Sequence, residues 1–300
     1  MTASSNFGSE MVWLVTGCSS GLGKSLAQAI CKAGHRIVAT ARNTASLSYL
    51  PDGPTVLKAK LDVTCPEDIT SVIAEALDKF QQIKVVINNA GYGLLGDMEA
   101  ISNSDARHQL ETNFWGPVYI TREALRVFRE INPKGQGGTI VQISSIGGSM
   151  TAPGHSFYHA SKFALEGFTK SVAQELRPEW NINLLIVAPG GVRTKFVESS
   201  SGIRPRHPAY DLPGGAFNQL AVYMEAQDTW CDPESCAKVL FDAVVGQSER
   251  PLPTRLLMGA ETIDFMIYEI KGVLEDIDSW KGETARCSES LTPENNGHRI

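Results

Sequence analysis

Short apolar runs alternate with amphipathic stretches along most of the 300-residue chain. Several runs are β-branched and apolar throughout, which is typical of strands that are covered on both faces of a parallel sheet. The predicted strands span 12–16, 36–41, 55–61, 84–88, 138–144, 182–188 and 254–258. Apolar residues at helical spacing predict helices at 22–33, 66–81, 104–131, 158–176, 233–245 and 260–280. This alternation predicts an α/β fold, a doubly wound parallel sheet with helices on both faces.

Residues 193–230 break this rhythm. The stretch carries three prolines and five aromatic residues but has little periodicity. A long irregular segment in a compact domain typically forms a lid or a binding segment, so we expect this one to contact the substrate. The rest of 11–280 forms one domain with the last helix packed on its body, and the polar stretches at 1–10 and 281–300 predict flexible ends.

Charge and cysteine usage argue against several classes of protein. The formal net charge is −6 and no basic run occurs, so a nucleic-acid surface is not expected. No apolar run approaches the ~20 residues of a membrane span, and no targeting signal is visible, so we expect a cytoplasmic protein. The six cysteines lack paired metal-ligand spacing, since Cys231 and Cys236 have no second pair nearby. Free thiols and no metal site are therefore expected.

A glycine-rich loop follows the first predicted strand and leads directly into a helix. Its sequence is Thr16-Gly17-Cys18-Ser19-Ser20-Gly21-Leu22-Gly23. Glycines at this position allow a tight turn and let backbone N–H groups approach a pyrophosphate, while the helix N-terminus adds donors and partial positive charge. The spacing differs from the G-x-G-x-x-G fingerprint, but the strand before the loop and the helix after it favour a dinucleotide site.

Arg42 follows the second predicted strand, in the run Ala39-Thr40-Ala41-Arg42-Asn43. A site specific for NAD normally has an acid here that binds the ribose 2′-hydroxyl. A guanidinium can instead hold a 2′-phosphate through charge-assisted hydrogen bonds. We therefore expect NADP(H) to be preferred over NAD(H), the alternative being that Arg42 is an ordinary surface residue.

Tyr158 and Lys162 lie four residues apart, on one face of a predicted helix, and Ser145 precedes them on a Gly-flanked loop. A phenol has a reference pKa of about 10, and a nearby cation lowers that pKa. The pair is thus a candidate proton donor, with Ser145 able to hydrogen-bond the same reacting oxygen. For the isolated pair alone, a half-buried aromatic residue and an ordinary surface lysine would be the favoured interpretation.

In order and spacing, the motifs resemble the short-chain dehydrogenase/reductase family over 11–195. The residues that carry the resemblance are Thr16-Gly-x-x-x-Gly-x-Gly23, Leu61-Asp62-Val63, Asn88-Asn89-Ala90-Gly91, Asn113, Ser145, Tyr158-x-x-x-Lys162 and Pro189-Gly190-x-x-x-Thr194. The family implies a Rossmann-type oxidoreductase domain. Within it, the loop and the long C-terminal portion resemble the branch with hydroxysteroid and retinol dehydrogenases.

The resemblance implies a role for each of four residues. Tyr158 is expected to be the general acid in carbonyl reduction and the base in alcohol oxidation. Lys162 is expected to lower the pKa of Tyr158 and to hydrogen-bond the nicotinamide ribose. Ser145, selected over Ser144 by its spacing to the tyrosine, is expected to orient the substrate oxygen. Asn113 is expected to anchor a water that links Lys162 to solvent.

The expected cofactor contacts combine the loop, Arg42 and the positions implied by the family. They are Gly17, Ser19, Ser20, Gly21, Leu22, Gly23, Arg42, Asp62, Val63, Asn89, Ala90, Gly91, Tyr158, Lys162, Pro189, Gly190, Val192 and Thr194. His155 and His159 flank the tyrosine, and structural or surface roles are favoured for them over pocket lining. Family members associate through the helices at 104–131 and 158–176, so a homodimer or homotetramer is expected.

The resulting hypothesis is an NADP(H)-dependent oxidoreductase that reduces a carbonyl or oxidises a secondary alcohol. Apolar side chains in 193–230 indicate an apolar, small-molecule substrate. Two other classes stay open: a cofactor-binding scaffold with non-redox chemistry, such as a cyclase or an NADP(H) sensor, and an interaction protein. The presence of Ser145, Tyr158 and Lys162 together favours the oxidoreductase.

Overall fold

The structure is a computed structural model that describes residues 10–194, 196, 206–210, 227–246 and 250–288. Most of the predicted substrate segment at 193–230, almost all of the predicted N-terminal tail and residues 289–300 lie outside the described residues.

Seven parallel strands form one sheet in the order β3-β2-β1-β4-β5-β6-β7. Each predicted strand is present, which confirms the doubly wound α/β fold. The bounds are β1 Val12–Val15, β2 Arg36–Ala41, β3 Val56–Lys60, β4 Val85–Asn88, β5 Gly138–Ile143, β6 Ile182–Pro189 and β7 Arg255–Met258.

Helices cover both faces of the sheet. Those of the described residues are α1 Gly21–Lys32, α2 Pro66–Phe80, α3 Asn103–Leu110, α4 Gly116–Glu130, α5 Ser156–Glu175, α6 Pro233–Val245 and α7 Ala260–Arg286. Buried apolar side chains form one cluster on each face: α1 and α6 lie over one, and α2 and α4 over the other. Burial on both faces explains why the central strands are apolar throughout.

The prediction of one continuous α-helix over 104–131 is wrong in the middle of that range. A single π-helical turn at Glu111–Trp115 separates α3 from α4 and contains Asn113. Wider turns of this kind shift the side chains that follow them and are frequent at functional sites. Apolar spacing alone did not reveal it, because the pattern on either side continues.

The last helix also differs from the prediction. It continues to Arg286, past residue 281 where the tail was expected to begin. From Ile270 to Arg286 every residue of α7 is exposed. The expectation that this helix packs along the body is therefore wrong for all but its first turns.

A crevice forms where the strand order reverses between β1 and β4. The loops that follow these two strands lie side by side at their carboxyl ends, which is where open parallel sheets bind ligands.

Candidate active site

A cavity of about 980 Å³ runs along the carboxyl ends of the strands. It is lined by every residue predicted to contact the cofactor, and also by Ser145. Of the predicted site residues, only Asn113 does not line it; this residue is buried behind the cavity wall. The structure thus brings residues from seven separate loops and helices together into one site.

The glycine-rich loop is shaped by two close approaches. Gly17 has a φ of 71°, and a Cβ there would lie 2.9 Å from the Cα of Ala90. At Gly23, in the first turn of α1, a Cβ would lie 2.3 Å from the Gly17 carbonyl oxygen. Any other residue at either position would force the β1 and β4 loops, or the loop and its helix, apart.

The N-terminus of α1 is left open toward the cavity. Ser20, the N-cap residue, makes no side-chain capping bond, and the first turn has no acidic residue. The first N–H groups of the helix and its partial positive charge are therefore available to an anion. These residues fit the pyrophosphate of a dinucleotide.

Asn89 and Thr16 join the two loops. Asn89 Nδ2 donates to the carbonyl oxygens of Thr16 at 2.9 Å and Gly17 at 3.2 Å. Thr16 Oγ1 accepts from the backbone N–H groups of Asn89 and Ala90, both at 2.9 Å. Asn89 was expected to contact the cofactor, and the structure adds that its side chain fixes the glycine-rich loop.

Charged groups lie at the far end of the crevice. Asp62 accepts from the backbone N–H of Thr64 at 3.0 Å and from its hydroxyl at 2.7 Å. Burial alone would raise the pKa of Asp62, but these hydrogen bonds and the cations Arg42 and His108 lower it below its usual value. His108, which sequence analysis missed, also lines the cavity here.

Lys162 and Tyr158 face the other end of the cavity. Lys162 is 6% exposed, and its ammonium donates to the Ile143 carbonyl oxygen at 2.8 Å and lies 5.8 Å from the centre of the Tyr158 ring. Burial lowers the pKa of Lys162 to about 8, and the carboxylate of Glu166 partly opposes this shift. The interpretation of Lys162 as a surface residue is therefore excluded.

Asn113 is held on three sides within the π turn. Its Nδ2 donates to the Tyr92 carbonyl oxygen at 2.9 Å and to Ser161 Oγ at 3.1 Å, and its Oδ1 accepts from Tyr92 N–H at 3.1 Å. A Cβ placed on Gly91 would lie 3.1 Å from Asn113 Oδ1 and 3.8 Å from Lys162 Nζ. Both side chains therefore come within 4 Å of the same position beside Gly91.

The two adjacent serines after β5 have different partners. Ser144 Oγ donates to Glu166 at 2.8 Å and is buried. Ser145 Oγ accepts from the N–H of Gly147 at 3.0 Å and keeps its own proton for another acceptor. Glu166, which sequence analysis missed, is also paired with Arg255 on β7.

Both histidines beside the tyrosine line the cavity, so a surface role is wrong for them. His159 Nδ1 donates to the Gly147 carbonyl oxygen at 2.8 Å, and its Nε2 accepts from Ala152 N–H at 2.9 Å. It thus holds the loop after Ser145 and has a structural role. His155 lies 5.6 Å from the Tyr158 ring, and burial lowers its pKa to about 4.

The remaining wall beside Tyr158 is largely apolar, and only its residues from 193–230 were expected from the sequence. Its side chains come from distant parts of the chain: Tyr92, Leu94, Met150, Pro153, Phe196, Trp230 and Phe265. Phe196 and Trp230 belong to the described parts of 193–230. The ends of that segment are joined, since Arg193 N–H donates to the Cys231 carbonyl oxygen at 2.9 Å.

Comparison with known proteins agrees with this geometry. The sequence model of the family described as short chain dehydrogenase matches residues 11–202. This chain belongs to the short-chain dehydrogenase/reductase family.

Individual relatives support the same assignment. The chain is 38% identical over 278 residues to oxidoreductase calM of Penicillium decumbens, covering 90% of each chain. It is 34% identical over 194 residues to 11-beta-hydroxysteroid dehydrogenase 1A of Arabidopsis thaliana, covering 62% of this chain and 54% of that protein. A short-chain dehydrogenase from Streptomyces avermitilis superposes with a TM-score of 0.79 at 31% identity, covering 93% of this chain and 100% of the other.

More distant structures share the fold and were solved with nicotinamide cofactors. A 3-ketoacyl-(acyl-carrier-protein) reductase from Brucella melitensis, complexed with NADH, is 23% identical with a TM-score of 0.68, covering 82% of this chain and 96% of that one. An alcohol dehydrogenase from Thermococcus sibiricus, complexed with 5-hydroxy-NADP, is 20% identical with a TM-score of 0.65, covering 83% and 96%.

Within the described ranges, no group of three or more His, Cys, Asp or Glu side chains is arranged to hold a metal ion. Among helices in the part of the chain that the structure describes, none combines the length and the apolar character needed to cross a bilayer.

Proposed function

We propose that this oxidoreductase uses NADP(H) to interconvert a carbonyl and a secondary alcohol on an apolar small molecule. The observation that carries the proposal is the position of the buried Lys162 ammonium. It lies 5.8 Å from the Tyr158 ring, in the same cavity as the open N-terminus of α1. One end of the cavity is thus suited to a phosphate and the other to proton transfer.

When bound, the nicotinamide cofactor supplies or accepts the hydride. The residues of this chain transfer the proton. In the reductive direction Tyr158 Oη donates a proton to the substrate oxygen, and the ammonium of Lys162 stabilises the negative charge that remains on the phenol oxygen. Ser145 Oγ, which accepts from Gly147 and retains its own proton, donates to the same substrate oxygen.

Asn113 and Lys162 support proton return to Tyr158. The Asn113 side chain is fixed by hydrogen bonds to Tyr92 and Ser161, so its Oδ1 keeps one position beside Gly91, which Lys162 Nζ also approaches. We propose that a water bound at Oδ1 links the ammonium to solvent. Its role would be to restore the proton after each turnover.

Preference for NADP(H) is proposed from Arg42. The residue is exposed at the end of β2, lines the cavity and acts on Asp62 across the crevice. No acidic side chain occupies the position directly after β2, where NAD-specific sites carry one. A guanidinium there is suited to a 2′-phosphate.

An apolar substrate is proposed from the wall beside Tyr158. Leu94, Met150, Phe196 and Phe265 surround the catalytic end, whereas the charged residues Arg42 and Asp62 lie at the cofactor end. We also propose a cytoplasmic homo-oligomer. The six cysteines are all unpaired, and large apolar side chains are exposed at Trp115, in the π turn, and at Phe163, on α5.

The role of Tyr158 is tested by Tyr158→Phe, with Tyr268→Phe as the matched control, since Tyr268 is exposed on α7 and does not line the cavity. The first variant should bind NADPH as wild type does but lose turnover by at least 100-fold, since general acid catalysis contributes about 10²–10⁴-fold. NADPH affinity is measured by fluorescence titration and turnover by NADPH oxidation over a panel of ketones. Undiminished reduction by Tyr158→Phe would refute the assignment.

A further inference from the structure

Helix α7 projects away from the body with an apolar stripe along it. Large apolar side chains recur at intervals of three and four residues, and we call the six that repeat every seven residues the α7 seam: Ile263, Met266, Ile270, Val273, Ile277 and Trp280. Five of the six are more than half exposed, Trp280 at 65%. Ile267 and Leu274 widen the stripe on one side.

Contact between α7 and the described part of the body is confined to the first turns of the helix. Thr262 is fully buried against the body, and Phe265 lines the active-site cavity. At 3.6 residues per turn, Thr262 lies about 80–100° around the helix from Ile263 and Ile270, and the partly exposed Met266 lies close to it. From Ile270 to Trp280 every residue of the helix is exposed, so the described residues of the body do not cover this part of the seam.

An uncovered stripe of this length is unusual. The largest apolar patch of a monomer is about 300–600 Å². On α7, eight large apolar side chains between Ile263 and Trp280 are exposed, and a specific interface takes about 800 Å² from each partner. A helix that leaves the body also depends on packing of its apolar face for most of its stability, so a partner for the seam is expected.

We propose that the α7 seam pairs with the same seam of a second copy of this chain, as a parallel two-stranded coiled coil. A seven-residue apolar repeat is the pattern that two supercoiled helices share. The same position of successive seven-residue repeats is occupied by Ile263, Ile270 and Ile277. A β-branched residue at this position favours parallel dimers.

The charges on α7 favour a protein partner over a membrane surface, and a parallel over an antiparallel pair of helices. The helix carries seven acidic and three basic side chains, whereas helices that lie on anionic membranes have a basic polar face. In a parallel pair, Asp276 of one copy lies next to Lys281 of the other. An antiparallel pair would instead bring the acidic row Glu269 and Asp276 of one helix beside the same row of its mate.

The position of Cys287 distinguishes a parallel from an antiparallel pair of α7 helices. It follows Trp280 by seven residues and is exposed at the end of α7. In a parallel coiled coil the two Cys287 side chains face each other across the seam, within the Cβ separation of about 3.5–4.5 Å that a disulfide requires. In an antiparallel pair they lie at opposite ends, on the order of 30 Å apart.

The experiment compares the mass in solution of the wild type, Ile277→Asp and Ser279→Asp by sedimentation velocity. Both substitutions add one negative charge to an exposed position of α7, but only Ile277 lies on the seam. We expect Ile277→Asp to halve the mass and Ser279→Asp to leave it unchanged, with thermal unfolding showing that both are folded. Ile270→Asp, one repeat earlier, should act as Ile277→Asp does.

Oxidation of Cys287 tests whether the two α7 helices are parallel. Diamide takes two hydrogen atoms from a pair of thiols and joins the sulfurs, so wild type should run as a covalent dimer without reductant and Cys287→Ser should not. A mass that Ile277→Asp does not change, or a monomer that floats with neutral phosphatidylcholine vesicles, would overturn the proposal. Halving of the mass without a Cys287 cross-link would overturn the parallel arrangement.

Discussion

Lys162 and Glu166 lie one turn apart on α5, and both are buried, at 6% and 2% exposure. The carboxylate raises the pKa of the lysine against the effect of burial, while it also accepts from Ser144 and pairs with Arg255. One acidic residue thus connects the charge of Lys162 with the loop that carries Ser145.

Replacing Glu166 by glutamine should lower the pKa of Lys162 further below its value of about 8, because the negative charge that raises it is lost. The basic limb of kcat/KM against pH should then move to lower pH. Glu175→Gln, at the exposed end of the same helix, serves as the control and should leave the profile in place. If both variants show the wild-type profile, Glu166 does not set the charge of Lys162.

Lys162→Met should remove activity and increase stability. Burial lowers the pKa of Lys162 from 10.5 to about 8, so holding the ammonium in the folded protein opposes folding. Its removal should raise the free energy of unfolding by about 1–2 kcal/mol, less than the pKa shift alone implies, because the bond to Ile143 is also lost.

The pH dependence gives a second test of the same residue. Between about pH 8 and 10.5 the unfolded chain keeps the proton that folded Lys162 has released, so wild-type stability gains a contribution that rises with pH. Urea unfolding over this range should show the rise in wild type and lose it in Lys162→Met. A variant that is less stable than wild type at neutral pH would contradict this account.

Arg42→Ser should weaken NADPH binding by about 10–100-fold, since hydrogen bonds to charged groups contribute about 1.5–3 kcal/mol. Affinity for NADH, which lacks the 2′-phosphate, should change little. Arg36→Ser, at the opposite end of β2, is the matched control. Fluorescence titration with both cofactors measures the ratio, and an unaltered NADPH preference would show that Arg42 is not the phosphate contact.

His155 should make the folded state sensitive to acid. Its pKa is lowered from 6.5 to about 4 by burial and by the neighbouring His159. As the pH falls from 6.5 to 4, the unfolded chain takes up a proton that the folded chain does not, so up to about 3 kcal/mol of stability is lost. His155→Asn should flatten this part of a stability profile measured by urea unfolding, whereas an unchanged slope would place the acid sensitivity elsewhere.

Much of the fold could be predicted because parallel strands buried on both faces leave an unambiguous apolar pattern. All seven strands were found that way, and the glycine-rich loop was found because its backbone geometry restricts the residue types. The π turn at Asn113 was missed because it leaves the apolar pattern on both sides intact. The exposure of α7 was missed because an apolar stripe indicates only that something covers it, not which surface does.

In the candidate site, too, residues placed by local spacing could be predicted, whereas residues placed by contacts across the fold could not. Tyr158 and Lys162 share one helical turn, so local spacing is enough to place them together. Glu166, His108 and Phe265 belong to the site through contacts made across the fold, and their neighbours in sequence give no sign of it.

The link between Thr16 and the β4 loop has a consequence for how the protein acquires its binding site. Thr16 Oγ1 accepts from Asn89 and Ala90, which lie 73 and 74 residues later in the chain. A nascent chain that has produced the glycine-rich loop therefore has no crevice until β4 has inserted beside β1. Because a ligand stabilises only the state that binds it, dinucleotide present during synthesis would act as a check on assembly, retaining chains whose sheet has closed across its centre.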